Sequence, residues 1–128
     1  MKFTRSFTVF LIVAAPLLAT QTAFAHAKLL KSSPSANETV TTAPTEVILH
    51  FSEDLEISMS HVVVKDLTTQ DIISDEAVTQ ESGEKSSMKV ALKKRPKSKT
   101  TYEVSWKAVA KDAHKMPGHF TFTYSPKD

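Results

Sequence analysis

The residues best equipped for chemistry in this chain are a histidine that follows Ala23-Phe24-Ala25 and an Asp112-Ala113-His114 triplet near the other end. If a peptidase cuts after Ala25, His26 becomes an amino terminus whose free amine and ring nitrogen close one small ring on a metal ion. An α-amine, with a reference pKa of about 7.7 to 8.0, gives up its proton at little cost near neutral pH. Asp112 and His114 are two residues apart, so an extended link would direct both to one side and let carboxylate and imidazole converge on one ion. Alone, a D-x-H triplet reads equally as a turn cap beside a surface histidine. Joined to an amino-terminal His26, it completes a set of two imidazoles, one amine and one carboxylate. Among divalent first-row ions copper binds such donors most strongly, and a tetragonal arrangement suits Cu(II); zinc, which also takes His and Asp, stays open.

The cut itself is legible. Lys2 and Arg5 form a charged start, Phe7 to Leu18 an apolar run interrupted by Pro16, and Ala23-x-Ala25 supplies the small residues a signal peptidase needs. The apolar run is short for a bilayer span, and no later segment approaches the ~18 to 20 apolar residues of a membrane helix. The expectation is a signal peptide over residues 1–25, removed after Ala25, and one domain over residues 26–128 that is exported and does not insert in a membrane after cleavage. Lys2 and Arg5 leave with the signal, which cancels the formal net charge of +2. A formally neutral mature chain argues against nucleic acid as a partner, since that calls for a clustered basic face.

The chain has no cysteine. Disulfide scaffolds, thiol redox chemistry, zinc ribbons and cysteine-ligated electron-transfer copper sites are thereby excluded. Phosphate-cradling loops want glycines, and Gly83 and Gly118 are the only two. No serine stands in a nucleophile-elbow context.

The elements that must position the donors read as short strands. Val47, Leu49 and Phe51 alternate with Glu46, Ile48 and His50; Met88, Val90 and Leu92 alternate again; Tyr102, Val104 and Trp106 form a further inward set, and Phe120, Phe122 and Tyr124 the last. His26 to Leu30 is expected as a first strand, Ser32 to Asn37 as a turn, and Ile57 to Lys65 as a strand rich in valine. Ser74 to Ser87 reads mostly as loop with one edge strand, and Lys93 to Lys99 as a solvated basic connection or edge protection. About seven strands with turns every 8 to 12 residues predict an all-β, antiparallel, Greek-key sandwich of immunoglobulin-like type. Tyr102, just after the turn at Lys97 to Thr100, is placed for a tyrosine corner.

Four motifs agree with one known family. His26-Ala27-x-Leu29 with Ser33-Pro34, Leu49-His50-Phe51-Ser52-Glu53, Tyr102-x-Val104-x-Trp106, and Asp112-Ala113-His114 with Gly118-His119-Phe120-Thr121-Phe122 occur in order along the mature chain. Together they resemble the CopC family of periplasmic copper-binding proteins. The resemblance implies a cupredoxin-like sandwich and one Cu(II) per chain, held by the amine and ring of His26, the carboxylate of Asp112 and the ring of His114. It also implies a periplasmic location, with an inner-membrane copper transporter of CopD type as partner. Glu53, in the F-S-E motif, is expected beside the site as a weak ligand or outer partner. Two departures stand out. Ala113 replaces a glycine usual in the family, and the methionines after the signal (Met59, Met88, Met116) are scattered, whereas some members carry a Met-rich Cu(I) segment. Since thioethers select Cu(I), their scarcity points to a Cu(II)-only protein.

Of the remaining histidines, His50 and His61 are expected as strand-face residues. His119 is expected to point to solvent, with a supporting role near His114 left open. The leading expectation is a monomer that sequesters or delivers copper without turnover. An amino-terminal His with a second His is also the ligand set of copper mono-oxygenases acting on polysaccharides, although Asp112 would occupy a position that oxygen needs. A third reading is an immunoglobulin-like interaction module whose histidines are incidental.

Overall fold

Alternation along each strand translates directly into two inner faces. In the computed structural model, which describes residues 28–128, the strands are β1 (Leu29–Ser33), β2 (Thr39–Val40), β3 (Glu46–Phe51), β4 (His61–Asp66), β5 (Ser74–Thr79), β6 (Ser87–Leu92), β7 (Thr100–Val109) and β8 (Lys115–Tyr124). The expected cleavage junction and His26 lie outside the described residues. One sheet has the order β1-β3-β6-β5 and the other β2-β8-β7-β4. All neighbours are antiparallel except the short β2–β8 pair, which is parallel. The all-β sandwich is as expected, with eight strands in place of about seven.

Val47, Leu49, Phe51, Met88 and Val90 from the first sheet meet Val62, Val64, Tyr102, Val104, Phe120 and Phe122 from the second in one buried core. Each such side chain contributes about 1.5 to 3 kcal/mol through burial. Tyr102 and Phe122 stack with centroids 5.5 Å apart. The Tyr102 hydroxyl accepts a hydrogen bond from the Lys97 N–H at 2.7 Å, so the tyrosine corner is present and pins the β6–β7 turn.

Several bounds differ from the sequence expectation. The first strand begins at Leu29 and runs through Ser33, into the expected turn. Ile57–Met59 forms a 3-10 turn, and the valine strand starts only at His61. Ser74–Thr79 is a full six-residue edge strand on β6. No helix among the described residues is long and apolar enough to cross a membrane.

Gly118 stands opposite Trp106 in the β7–β8 ladder. The indole lies across it, so that a Cβ at Gly118 would run into Cζ2 and Cε2 of Trp106. Trp106 is held there by Phe51, edge-on at 6.2 Å, and by Phe120 at 5.8 Å. Substituting Gly118→Ala should therefore cost about 1 to 3 kcal/mol, the usual range for overpacking. Urea unfolding followed by the emission of Trp106, the one tryptophan, measures it; an unchanged midpoint would mean that the indole moves aside freely.

Candidate metal centre

The β7–β8 hairpin carries the triplet at its tip. Ala113 N–H donates to the Ala110 carbonyl and Ala110 N–H to the His114 carbonyl, both at 2.9 Å, which closes a tight turn. Asp112 reinforces it: one carboxylate oxygen accepts the His114 N–H at 3.2 Å and the other lies 2.7 Å from His114 Nδ1. The two side chains that the sequence sets two residues apart are thus in direct contact. They are open as well, with 58% of the Asp112 side chain and 69% of the His114 side chain exposed.

This geometry suits an ion in either of two ways. Two donors about 2.0 Å from one ion and at right angles to each other stand about 2.8 Å apart, close to the spacing seen. Alternatively, Nδ1–H donates to the carboxylate, fixing the tautomer and leaving Nε2 free to ligate. Hydrogen bonding from the His114 ring, and next from its backbone N–H, holds the Asp112 carboxyl below its ordinary value despite a smaller opposing effect of burial. A carboxyl lowered in this way remains an anion, and so a ligand, until the pH falls below the usual carboxylate range.

Ala113 has φ of 71°, in the left-handed region where a Cβ costs about 1 to 2 kcal/mol. This is the position where the family resemblance calls for glycine. Ala113→Gly should remove that strain at the expense of about 0.5 to 1 kcal/mol of extra chain freedom in the unfolded state. The expected result is a net gain of about 0 to 1.5 kcal/mol, read as an equal or higher denaturation midpoint; a loss would show that the alanine methyl makes a favourable contact.

The segment after β3 ties the amino-terminal end of the described chain to this turn. Lys28 N–H donates to the Ser52 hydroxyl at 2.9 Å, and Ser52 N–H donates back to the Lys28 carbonyl at 3.0 Å. Two residues later Asp54 accepts the Lys111 N–H at 3.2 Å, and Leu55 bridges Ala110. The Lys111 ammonium meets Glu56 at 3.0 Å. Residue 28 and residue 111 are therefore held by one short segment crossing between the sheets. Exposed Glu53 sits between the two attachments.

His119 is placed differently. It lies within β8 opposite Ser105, on the exposed outer face, about 16 Å along the strand from His114. The structure does not bring it to the pair. Met88 and Met116 are buried in the core, and Met59 is exposed by itself. Among the described residues no group of three or more His, Asp or Glu side chains is placed to hold a metal.

Sequence reasoning missed what anchors the acidic stretch. His50 is half-buried with Glu81 at 3.3 Å from Nε2 and Glu84 at 3.4 Å from Nδ1. The same loop gives its Lys85 and Ser86 carbonyls to Leu55 and Phe51 N–H, so it buttresses the crossing segment. Partners 30 or more positions apart leave no local signal.

A family model for the CopC domain matches residues 29–125. Protein YobA of Escherichia coli (strain K12) is 34% identical over 119 residues, covering 93% of this chain and 94% of that protein. Copper resistance protein C of Xanthomonas campestris pv. juglandis is 32% identical over 126 residues, covering 93% of this chain and 95% of its own. Among solved structures, PcoC, a methionine-rich copper resistance protein from Escherichia coli, matches with a TM-score of 0.67 at 29% identity, over 79% of this chain and 100% of that one.

Proposed function

This chain belongs to the CopC family, and from that premise we propose that it holds one Cu(II) ion per chain in the periplasm, for sequestration or for delivery. The family is one of copper-binding resistance proteins, not enzymes. In this reading the ligands are the amine and ring of His26, the carboxylate of Asp112 and the ring of His114, with Glu53 as a weak ligand or outer partner. Removal of residues 1–25 on export creates the amine. The receiving or supplying partner is an inner-membrane copper transporter of CopD type, and the protein works as a monomer.

The observation that carries the reading is the exposed Asp112–His114 pair, with carboxylate and ring 2.7 Å apart. Its support is the short tether between residues 28 and 111. Lys28, held at the same end of the sandwich as the pair, is two residues from His26 in sequence, a span of at most about 7 Å. The oxidation state follows from donor softness: nitrogen and carboxylate oxygen suit Cu(II), and the one exposed methionine among the described residues, Met59, makes no thioether cluster for Cu(I).

The chain beginning at His26 should take up one equivalent of Cu(II) and give the electron paramagnetic resonance spectrum of a tetragonal ion bound by mixed nitrogen and oxygen. Equilibrium dialysis with no stoichiometric uptake would reject the reading.

A further inference from the structure

The end of the sandwich opposite the candidate metal centre carries an unusual concentration of charge. Lys93, Lys94, Arg95, Lys97 and Lys99 are all exposed on the turn between β6 and β7, in a chain that is formally neutral without its signal. The turn is firmly built. Pro96 is buried, Lys97 N–H is held by the Tyr102 hydroxyl, and Lys93 and Lys94 N–H both donate to the Ile73 carbonyl, at 2.8 and 3.3 Å. Local neutralisation is partial: Asp75 and Glu76 line a cleft together with Ile72 and Lys93, which leaves Lys94 and Arg95 as the less compensated cations. Asp71 reaches Lys94 only at 4.0 Å, and Asp66, largely buried, spends one carboxylate oxygen on the Thr68 and Thr69 N–H groups.

Apolar groups flank the cations. Ile72 is 49% exposed and Leu67 38%; Ile72 precedes the residue that anchors the turn, and Leu67 N–H is bonded to the Thr101 carbonyl. Lys94 and Arg95 also border a cleft of about 290 Å³ whose other walls include Thr42, Thr45 and the apolar Pro44 and Leu92. Cations over a small cleft with hydroxyl and apolar walls, beside exposed aliphatic side chains, match a phosphate headgroup with its glycerol and the first part of an acyl chain.

We propose that this distal end is a docking surface for anionic phospholipid, with a headgroup phosphate between Lys94 and Arg95 and with Ile72 and Leu67 reaching the acyl boundary. β7 runs its ten residues, about 33 Å, from the basic turn to the metal end. A chain seated in this way would present the Asp112–His114 turn away from the bilayer. The docking stands independently of what that turn binds.

Co-sedimentation of the chain beginning at His26 with vesicles of equimolar phosphatidylglycerol and phosphatidylcholine tests it, with pure phosphatidylcholine vesicles as the comparison. Binding is expected to the anionic vesicles only, and to weaken as salt rises toward physiological strength. The triple variant Lys93→Gln/Lys94→Gln/Arg95→Gln should lower the partition coefficient by about a hundredfold with an unchanged melting temperature, because all three side chains are exposed. Ile72→Ser should lower it by roughly fivefold through lost apolar burial. Equal partition into both kinds of vesicle, no binding to the anionic ones at low salt, or a triple variant that binds like the parent would each overturn the proposal. So would capture of inorganic phosphate or of an acidic soluble protein without any vesicle binding.

Discussion

One residue added ahead of His26 in a chain made to begin there is expected to weaken Cu(II) binding by about a thousandfold or more. The addition turns the amine of His26 into an amide, whose nitrogen must give up a proton before it can act as a donor, and moves the free amine one residue further from Asp112 and His114. The chelate ring between that nitrogen and the imidazole is then lost, although every side chain remains. An effect of this size corresponds to about 4 kcal/mol, in keeping with the large share of metal-site free energy that a strong ligand supplies. Competition against a chelator of known affinity, with the His26 and extended forms side by side, measures it directly. Because the change lies ahead of the described strands, unfolding curves of the two forms should coincide. Equal affinity would remove the amino terminus from the ligand set, whatever else binds.

Replacing His114 with alanine should lower Cu(II) affinity by a hundredfold to a thousandfold, and should remove one nitrogen from the hyperfine pattern of the bound ion. Asp112→Asn keeps the shape of the turn but loses the charge and the lowered carboxyl. Its effect should be smaller, about ten- to a hundredfold, because Asn keeps one oxygen donor at that position while the charge and the support of the His114 ring are lost. Both side chains are mostly exposed, so the denaturation midpoint should move far less than the copper affinity. That separation between affinity and stability distinguishes a ligand pair from a turn cap. A His114→Ala protein that binds copper as tightly as the parent would exclude the turn as a metal site. The two experiments are also independent: failure of the first with success of the second would leave a site built on Asp112 and His114 with another group in place of the amine.

Period-two alternation identified the core strands because burial on one face of a pleated strand leaves a local trace: Val47, Leu49 and Phe51 are buried as read, and so are Tyr102, Phe120 and Phe122. Where burial leaves no such trace, the reading fell short. Ser74–Thr79 is polar and acidic, and the one edge strand expected within Ser74 to Ser87 could not be bounded from its own residues; it forms there because β6 offers an open row of backbone hydrogen bonds. Thr39–Val40 has no strand signature and pairs with the end of β8 all the same. Partner choice of this kind belongs to the sheet and cannot be read from the segment.

At the candidate site the division follows the same physics. Residue type and spacing along the chain determined the donor set to look for, the exclusion of thiolate chemistry and the resemblance to a copper-binding family, because ligand softness and short-range geometry are properties of a few neighbouring residues. Tertiary structure decided that Asp112 and His114 touch, through the left-handed turn at Ala113 that closes the β7–β8 hairpin. It also set His119 apart from them, on the outer face within β8. And it tied Lys28 to Ser52 by extending the β1–β3 pairing and Asp54 to Lys111 across the two sheets, contacts between positions 24 and 57 apart in sequence that leave no local trace.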